Sequence, residues 1–225
     1  MTVMMQSVAM LQTETSVQTV WDFLSSGGPV MIPIALCSLV AVAVTLERWR
    51  ALSRSRVLPL RLSEVEAKIE ALDIEGATAL ARDIDAPATR ILGAALRRRG
   101  RALREVELAM EDQAHKELEK LRANVRTLNL IAAVAPLLGL LGTVLGIQEA
   151  FHRVVKTKMG EPEMLASGIE VALVTTIAGL CVAIPTMLVA SHFSNKARRL
   201  MLACDERLAP FVELLAAPPE KRDAA

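Results

Sequence analysis

Tyrosine is absent from this 225-residue chain, which carries only four Phe and two Trp. So few rings exclude a surface on which nucleic-acid bases could stack, and a net charge of +1 excludes the strongly basic balance of a nucleic-acid binder. Cysteine is scarce too. Cys37, Cys181 and Cys204 are isolated, with no second Cys or His at ligand spacing, so neither a disulfide framework nor a metal site is expected. The glycine-rich stretch Gly139–Gly146 lacks the Lys-Ser/Thr pair of a phosphate loop and the spacing of a dinucleotide fingerprint. No nucleophile stands beside a base, and neither an enzyme nor a cofactor is expected. Charge is missing altogether from three long runs, Gly28–Leu46, Leu128–Ile147 and Val171–Ser191, and Lys and Arg are missing from the first 27 residues.

Those gaps in charge are the main signal. Hydrophobic residues make up 52% of the chain and charged residues 23%, so the two kinds are segregated into blocks. A bilayer core of roughly 30 Å takes about 20 apolar helical residues, the length of each uncharged run. The expected fold is an all-α membrane protein with three transmembrane helices, at 28–46, 128–147 and 169–193. The segment 47–127 holds 17 Lys and Arg, and the tail after Ser191 holds six. The positive-inside rule then places segment 1–27 outside, and both 47–127 and the tail 194–225 in the cytoplasm. The short loop 148–168, with Arg153, Lys156 and Lys158, falls outside against that trend. Ala41-Val42-Ala43 resembles a signal cleavage site, but no basic region precedes the apolar run, so the first segment is expected to stay as an anchor.

The cytoplasmic block reads as helix. Leu62, Val65, Ile69 and Leu72 recur at helical spacing, and Gly76 and Ala86-Pro87 punctuate. A longer stripe follows through Leu103, Val106, Met110, Ala114, Leu118, Leu121, Val125 and Leu128, and predicts one helix from Pro87 into the second span, with breaks allowed at Gly93 and Gly100. The third span is expected to continue into the tail through Ala197, Leu200, Met201, Cys204 and Leu208. The cluster Arg97, Arg98, Arg99, Arg101 and Arg104 reads as a solvated face that enforces topology, and His115 and His152 read as surface residues.

The spans themselves carry weakly polar faces. Ala132, Pro136, Gly139, Thr143 and Gly146 share one face of the second, and Gly168, Ala172, Thr175, Gly179, Ala183 and Thr186 one face of the third. Bulky aliphatic residues on the other faces meet lipid or neighbours. Small residues and hydroxyls in hydrocarbon have two readings: close helix packing, including the Gly142–Gly146 pair, or an internal ion pathway. Depth favours the pathway. Thr143 and Thr175 each lie four residues from the outer end of their helices, about 6 Å deep, and form one layer with Glu170 just above. Glu170 stands about 140° around the helix from Thr175, and anchor and channel-mouth readings of it remain open.

The stretches Ala135–Phe151, Gly168–Leu180 and Ala183-Ile-Pro185 resemble the MotA/TolQ/ExbB proton-channel family, and three spans place the likeness on its ExbB/TolQ branch. The chain departs from the family's pattern at Leu141 and Leu145, where aromatics are common. The resemblance implies a ring-forming inner-membrane protein: a homopentamer whose second and third spans line a pore holding a dimer of an ExbD/TolR-like single-span protein, with a TonB/TolA-like envelope protein as a further partner and proton flow working on an envelope or outer-membrane client. It assigns pore-lining roles to Thr143, Thr175 and Glu170, and their neighbours Thr176, Gly139, Gly146, Ala172 and Gly179 are expected beside them. The competing expectation is a non-conducting scaffold that organises a partner through small-residue packing.

Overall fold

The computed structural model describes residues 27–157 and 162–216. Most of the expected outer segment 1–27, the loop residues 158–161 with Lys158, and the end of the tail lie outside these. Every regular element among the described residues is α-helical: α1 Met31–Ala51, α2 Arg54–Val57, α3 Leu62–Glu70, α4 Ile74–Asp83, α5 Pro87–Arg97, α6 Leu103–Thr157 and α7 Pro162–Leu215. Three of them, α1, α6 and α7, contain windows long and apolar enough to cross a membrane. The helices divide into two compact units, one within Met1–Ala43 and Thr127–Val189, the other within Val44–Arg126 and Ala190–Ala225.

The first unit consists of apolar helix segments. Met31 and Ile34 of α1 are buried with Ala178 of α7, and Val30, Leu138 and Val182 pack around them. The window buries little of itself, 22% in α1 and α6 and 33% in α7, so lipid or further chains must cover the rest. Ile169, Leu173, Ile177, Leu180, Ile184 and Leu188 form one such uncovered stripe along α7 at steps of three and four. Pro136 sits inside α6 and leaves the Ala132 carbonyl without its helical donor.

The second unit has a conventional core in which Leu62, Val65 and Ile69 of α3, Ile91 and Leu92 of α5, Val106 of α6, and Phe193, Cys204 and Leu208 of α7 are buried. The stripe expected through Leu72 ends one turn early. Leu72 is exposed with φ of 64°, the left-handed residue that closes α3: its N–H bonds to Ile69 O at 2.9 Å and Asp73 N–H reaches back to Lys68 O at 2.9 Å. Gly76 does not break a helix but opens α4, its N–H capped by the Asp73 carboxylate at 2.9 Å. The helix expected to run from Pro87 is interrupted at Gly100, whose φ of 71° few other residues adopt, and not at Gly93, which lies inside α5. The Gly100 N–H donates to Leu215 O at 2.8 Å, joining the turn before α6 to the end of α7.

A buried ion network was not visible in the periodicity. Glu117, 1% exposed, accepts from Arg90 at 2.7 Å on one oxygen and from Gln113 and Lys120 at 2.9 Å each on the other. Burial pushes its carboxyl up, but the bonds from Arg90 and Lys120 outweigh that and hold it below the usual range. Arg207 of α7 grips Glu66 of α3 through two bonds at 2.7 and 2.8 Å.

Candidate functional site: a seam of glycine and threonine

Two long helices touch through residues that have almost no side chain. A methyl built on Gly139 of α6 would stand 2.9 Å from Thr175 O and 3.0 Å from Thr176 Cα, both backbone atoms that cannot yield. One on Gly179 of α7 would stand 2.6 Å from Ala135 O, and one on Gly146 would stand 2.9 Å from the Ala172 methyl. On Gly142 it would collide with the Thr175 side chain, and on Gly168 with Ala150. The seam therefore runs through Ala135, Gly139, Gly142, Gly146 and Ala150 of α6, and through Gly168, Ala172, Thr175, Thr176 and Gly179 of α7. Close approach of this kind is what packs helices in lipid, where no hydrophobic force draws them together.

Hydroxyls sit at its centre. Thr175 is 2% exposed, and its Oγ1 lies 2.7 Å from Ala172 O in its own helix and 3.2 Å from Gly139 O across the seam. Thr176 Oγ1 donates to the same Gly139 oxygen at 3.1 Å. Both hydroxyls are thus satisfied within one chain. Thr143 is different. Its hydroxyl bonds to Leu140 O of its own turn at 2.6 Å, and its side chain is half-buried beside the seam. Because Gly142 faces Thr175, the neighbouring Thr143 stands at the same level. Glu170 is exposed, whereas Thr175 is buried.

The face expected on α7 matches the buried residues Ala172, Thr175, Ala183 and Thr186. On α6 the contact face is turned from the one expected: Gly142 and Ala135 replace Thr143 and Pro136, because close approach is set by where the partner helix needs a missing Cβ. Sequence reasoning left Ala135, Gly142, Ala150 and Gly168 outside the candidate site, and Gly142 is the one of them that faces Thr175. Its spacing of three from Gly139 and four from Gly146 was the available signal.

The sequence carries this arrangement into a known group. Residues 83–206, more than half of the chain, match the profile of the MotA/TolQ/ExbB proton channel family. The chain belongs to that family. It is 36% identical over 173 residues to ExbB-like 3 of Synechocystis, a protein named for biopolymer transport, a match that covers 76% of this chain and 82% of the relative. It is 35% identical over 182 residues to an ExbB homologue of Methanothermobacter thermautotrophicus, covering 79% of this chain and 64% of that protein. To the Tol-Pal system protein TolQ of Haemophilus influenzae it is 38% identical over 92 residues, or 41% of this chain and 39% of the relative. These matches and the three apolar helices make it a multi-pass membrane protein of the ExbB/TolQ branch. For an ExbB-like protein, the seam offers hydroxyls and carbonyls at membrane depth, and the runs Leu128–Ile147 and Val171–Ser191 offer no ionisable group except the thiol of Cys181.

Proposed function

We propose that this chain is the ring subunit of a proton-driven machine in a bacterial inner membrane. Five copies surround a pore lined by α6 and α7, with the N-terminus outside and residues 47–127 and 194–225 in the cytoplasm. Thr143, Thr175 and Thr176 supply hydroxyls to the pore, Gly139, Gly146, Ala172 and Gly179 keep its wall thin, and Glu170 sits at its outer mouth. The observation that carries this reading is a pair of hydroxyls on one carbonyl, Gly139 O, inside the runs Leu128–Ile147 and Val171–Ser191, which hold no carboxylate or ammonium group. Protons cannot cross such a wall by charge alone. A dimer of an ExbD/TolR-like single-span protein brings the missing carboxyl group into the pore, where scarce water penalises its charge and hydroxyls soften the penalty, so that it loads and releases protons. Proton flow then drives motion that a TonB/TolA-like protein delivers to an envelope or outer-membrane client.

One observation favours the scaffold reading instead: the Thr175 hydroxyl is satisfied by Ala172 and Gly139 within a single chain, as packing alone would have it. A joint measurement separates the two. The complex purified with its single-span partner is counted by native mass spectrometry and its proton flux is followed in liposomes. A five-to-two complex that conducts supports the machine, five copies that conduct nothing with the partner bound support the scaffold, and a monomer or dimer without a partner refutes both.

A further inference from the structure

Beside the seam, the apolar unit contains a half-enclosed cavity of about 810 Å³. Gly142 and Gly146 form part of its wall, Leu145 lines it, and Glu149, His152 and Arg153 stand around it at the end of α6. The bare Cα of Gly142 stands between this space and the Thr175 side chain, since a methyl there would strike it, and Gly27, which also lines the cavity, approaches the same side chain, with a methyl on it 3.4 Å from Thr175 Cγ2. The polar groups are also suited to passing cations: Arg153 Nε holds Glu149 Oε1 at 3.1 Å, which offsets the arginine charge, and the exposed imidazole of His152 stands beside them.

We propose that this cavity is the aqueous entry by which protons reach the threonine seam, with His152 and Glu149 at its mouth and Gly142 as its thin inner wall. The inference deepens the proton-machine reading and rests on it. A proton from outside water binds His152 or Glu149, leaves for water in the cavity, and moves on by exchange of O–H bonds to the partner's carboxylate. Each carrier forms one bond to hydrogen and breaks one, and nothing is oxidised or reduced.

Thiol accessibility tests it in the full chain. Cys37 and Cys181 are replaced by Ala, while Cys204 is left in place, fully buried with its thiol pushed up to about 12 by burial and then by Asp205. Leu145→Cys places a thiol in the cavity, and Leu140→Cys places one on the aliphatic belt, where Leu140 is the more exposed of the two, 57% against 45%. A small charged methanethiosulfonate added to intact cells should modify Leu145→Cys at least tenfold faster than Leu140→Cys. Modification should then cut the proton flux of the purified complex at least tenfold. Equal or absent labelling, as when a second copy or lipid fills the cavity, overturns the proposal, and so does labelling that leaves flux intact. If the unmodified complex conducts nothing, the proton-machine reading fails as well, whereas the labelling ratio still reports whether the cavity holds water.

Discussion

Replacing Thr175 with Val removes one hydroxyl and changes little else. The two side chains have the same branching and nearly the same volume; the Val methyl takes the place of Oγ1, the Thr175 atom nearest Gly142, and needs only slightly more room, so the spacing of α6 and α7 is nearly preserved. The hydroxyl has one proton, shared between Ala172 O at 2.7 Å and Gly139 O at 3.2 Å. Side-chain hydrogen bonds between transmembrane helices average about 0.6 kcal/mol, and both carbonyls are helical ones that keep backbone donors. The expected loss of stability is therefore under about 1 kcal/mol, and complexes should be recovered in normal yield. Proton transfer is more sensitive, because about 1.4 kcal/mol added to a barrier slows a step tenfold. Removing an oxygen from the transfer route should cut proton flux in liposomes at least tenfold. Thr175→Ser, which keeps the hydroxyl and loses the methyl, should retain most of it despite somewhat poorer packing. Full flux in Thr175→Val with an intact complex would falsify the pathway role and leave the seam as packing alone.

Gly139→Ala should fail at the opposite step: the added methyl meets backbone at 2.9 and 3.0 Å, so the seam opens at a cost of about 1–3 kcal/mol and assembly falls in detergent chromatography, whereas Gly93→Ala, with its nearest contact at 3.7 Å, should assemble normally. Leu72→Gly should raise stability by about 1 kcal/mol in denaturant titration, because the left-handed φ of 64° strains leucine and not glycine; an unchanged midpoint refutes the capping account. Glu117→Gln should cost about 1–3 kcal/mol by weakening the bonds from Arg90 and Lys120. Glu117's folded pKa is depressed, so its contribution is present above the unfolded carboxylate range and fades as acid carries the pH down through the folded value; the wild-type advantage over the variant should shrink along that course. A cysteine at position 13 should react with an impermeant reagent in intact cells and one at position 111 should not, and labelling at 111 would reverse the orientation.

How much the sequence revealed depended on whether one helix alone decided the matter. The apolar spans were legible because length and missing charge are properties of the segment, and the α7 face was legible because its small residues keep a single helical period from Gly168 to Thr186. The contact face of α6 was not, since both Gly142 and Thr143 fit a small-residue stripe and only the second helix selects between them. Leu72 continued its stripe by spacing, yet the capping geometry at the end of α3 outranked the period. Glu117 was the largest gap: a carboxylate four residues after Gln113 and three before Lys120 looks like a solvated helix position, and the partner that lets it be buried, Arg90, lies 27 residues away on α5.

The bonding at the seam is compatible with packing and with the proposed pathway together. Glu117 is fixed by three simultaneous donors, and a group held that way does not exchange its state easily. Thr175 has two acceptors for one proton, and Thr176 shares one of those acceptors. When the Thr175 proton points to Ala172, Gly139 O keeps its helical donor and the Thr176 hydroxyl; when it points across the seam, the Ala172 carbonyl is left with its helical donor alone. The change needs only rotation of an O–H bond, with no movement of the helices that the glycines hold together. A hydroxyl so placed stabilises the folded pair in either setting and presents a donor or an acceptor according to the charge beside it, which is what a carboxyl group gaining and losing protons in the proposed pore would require.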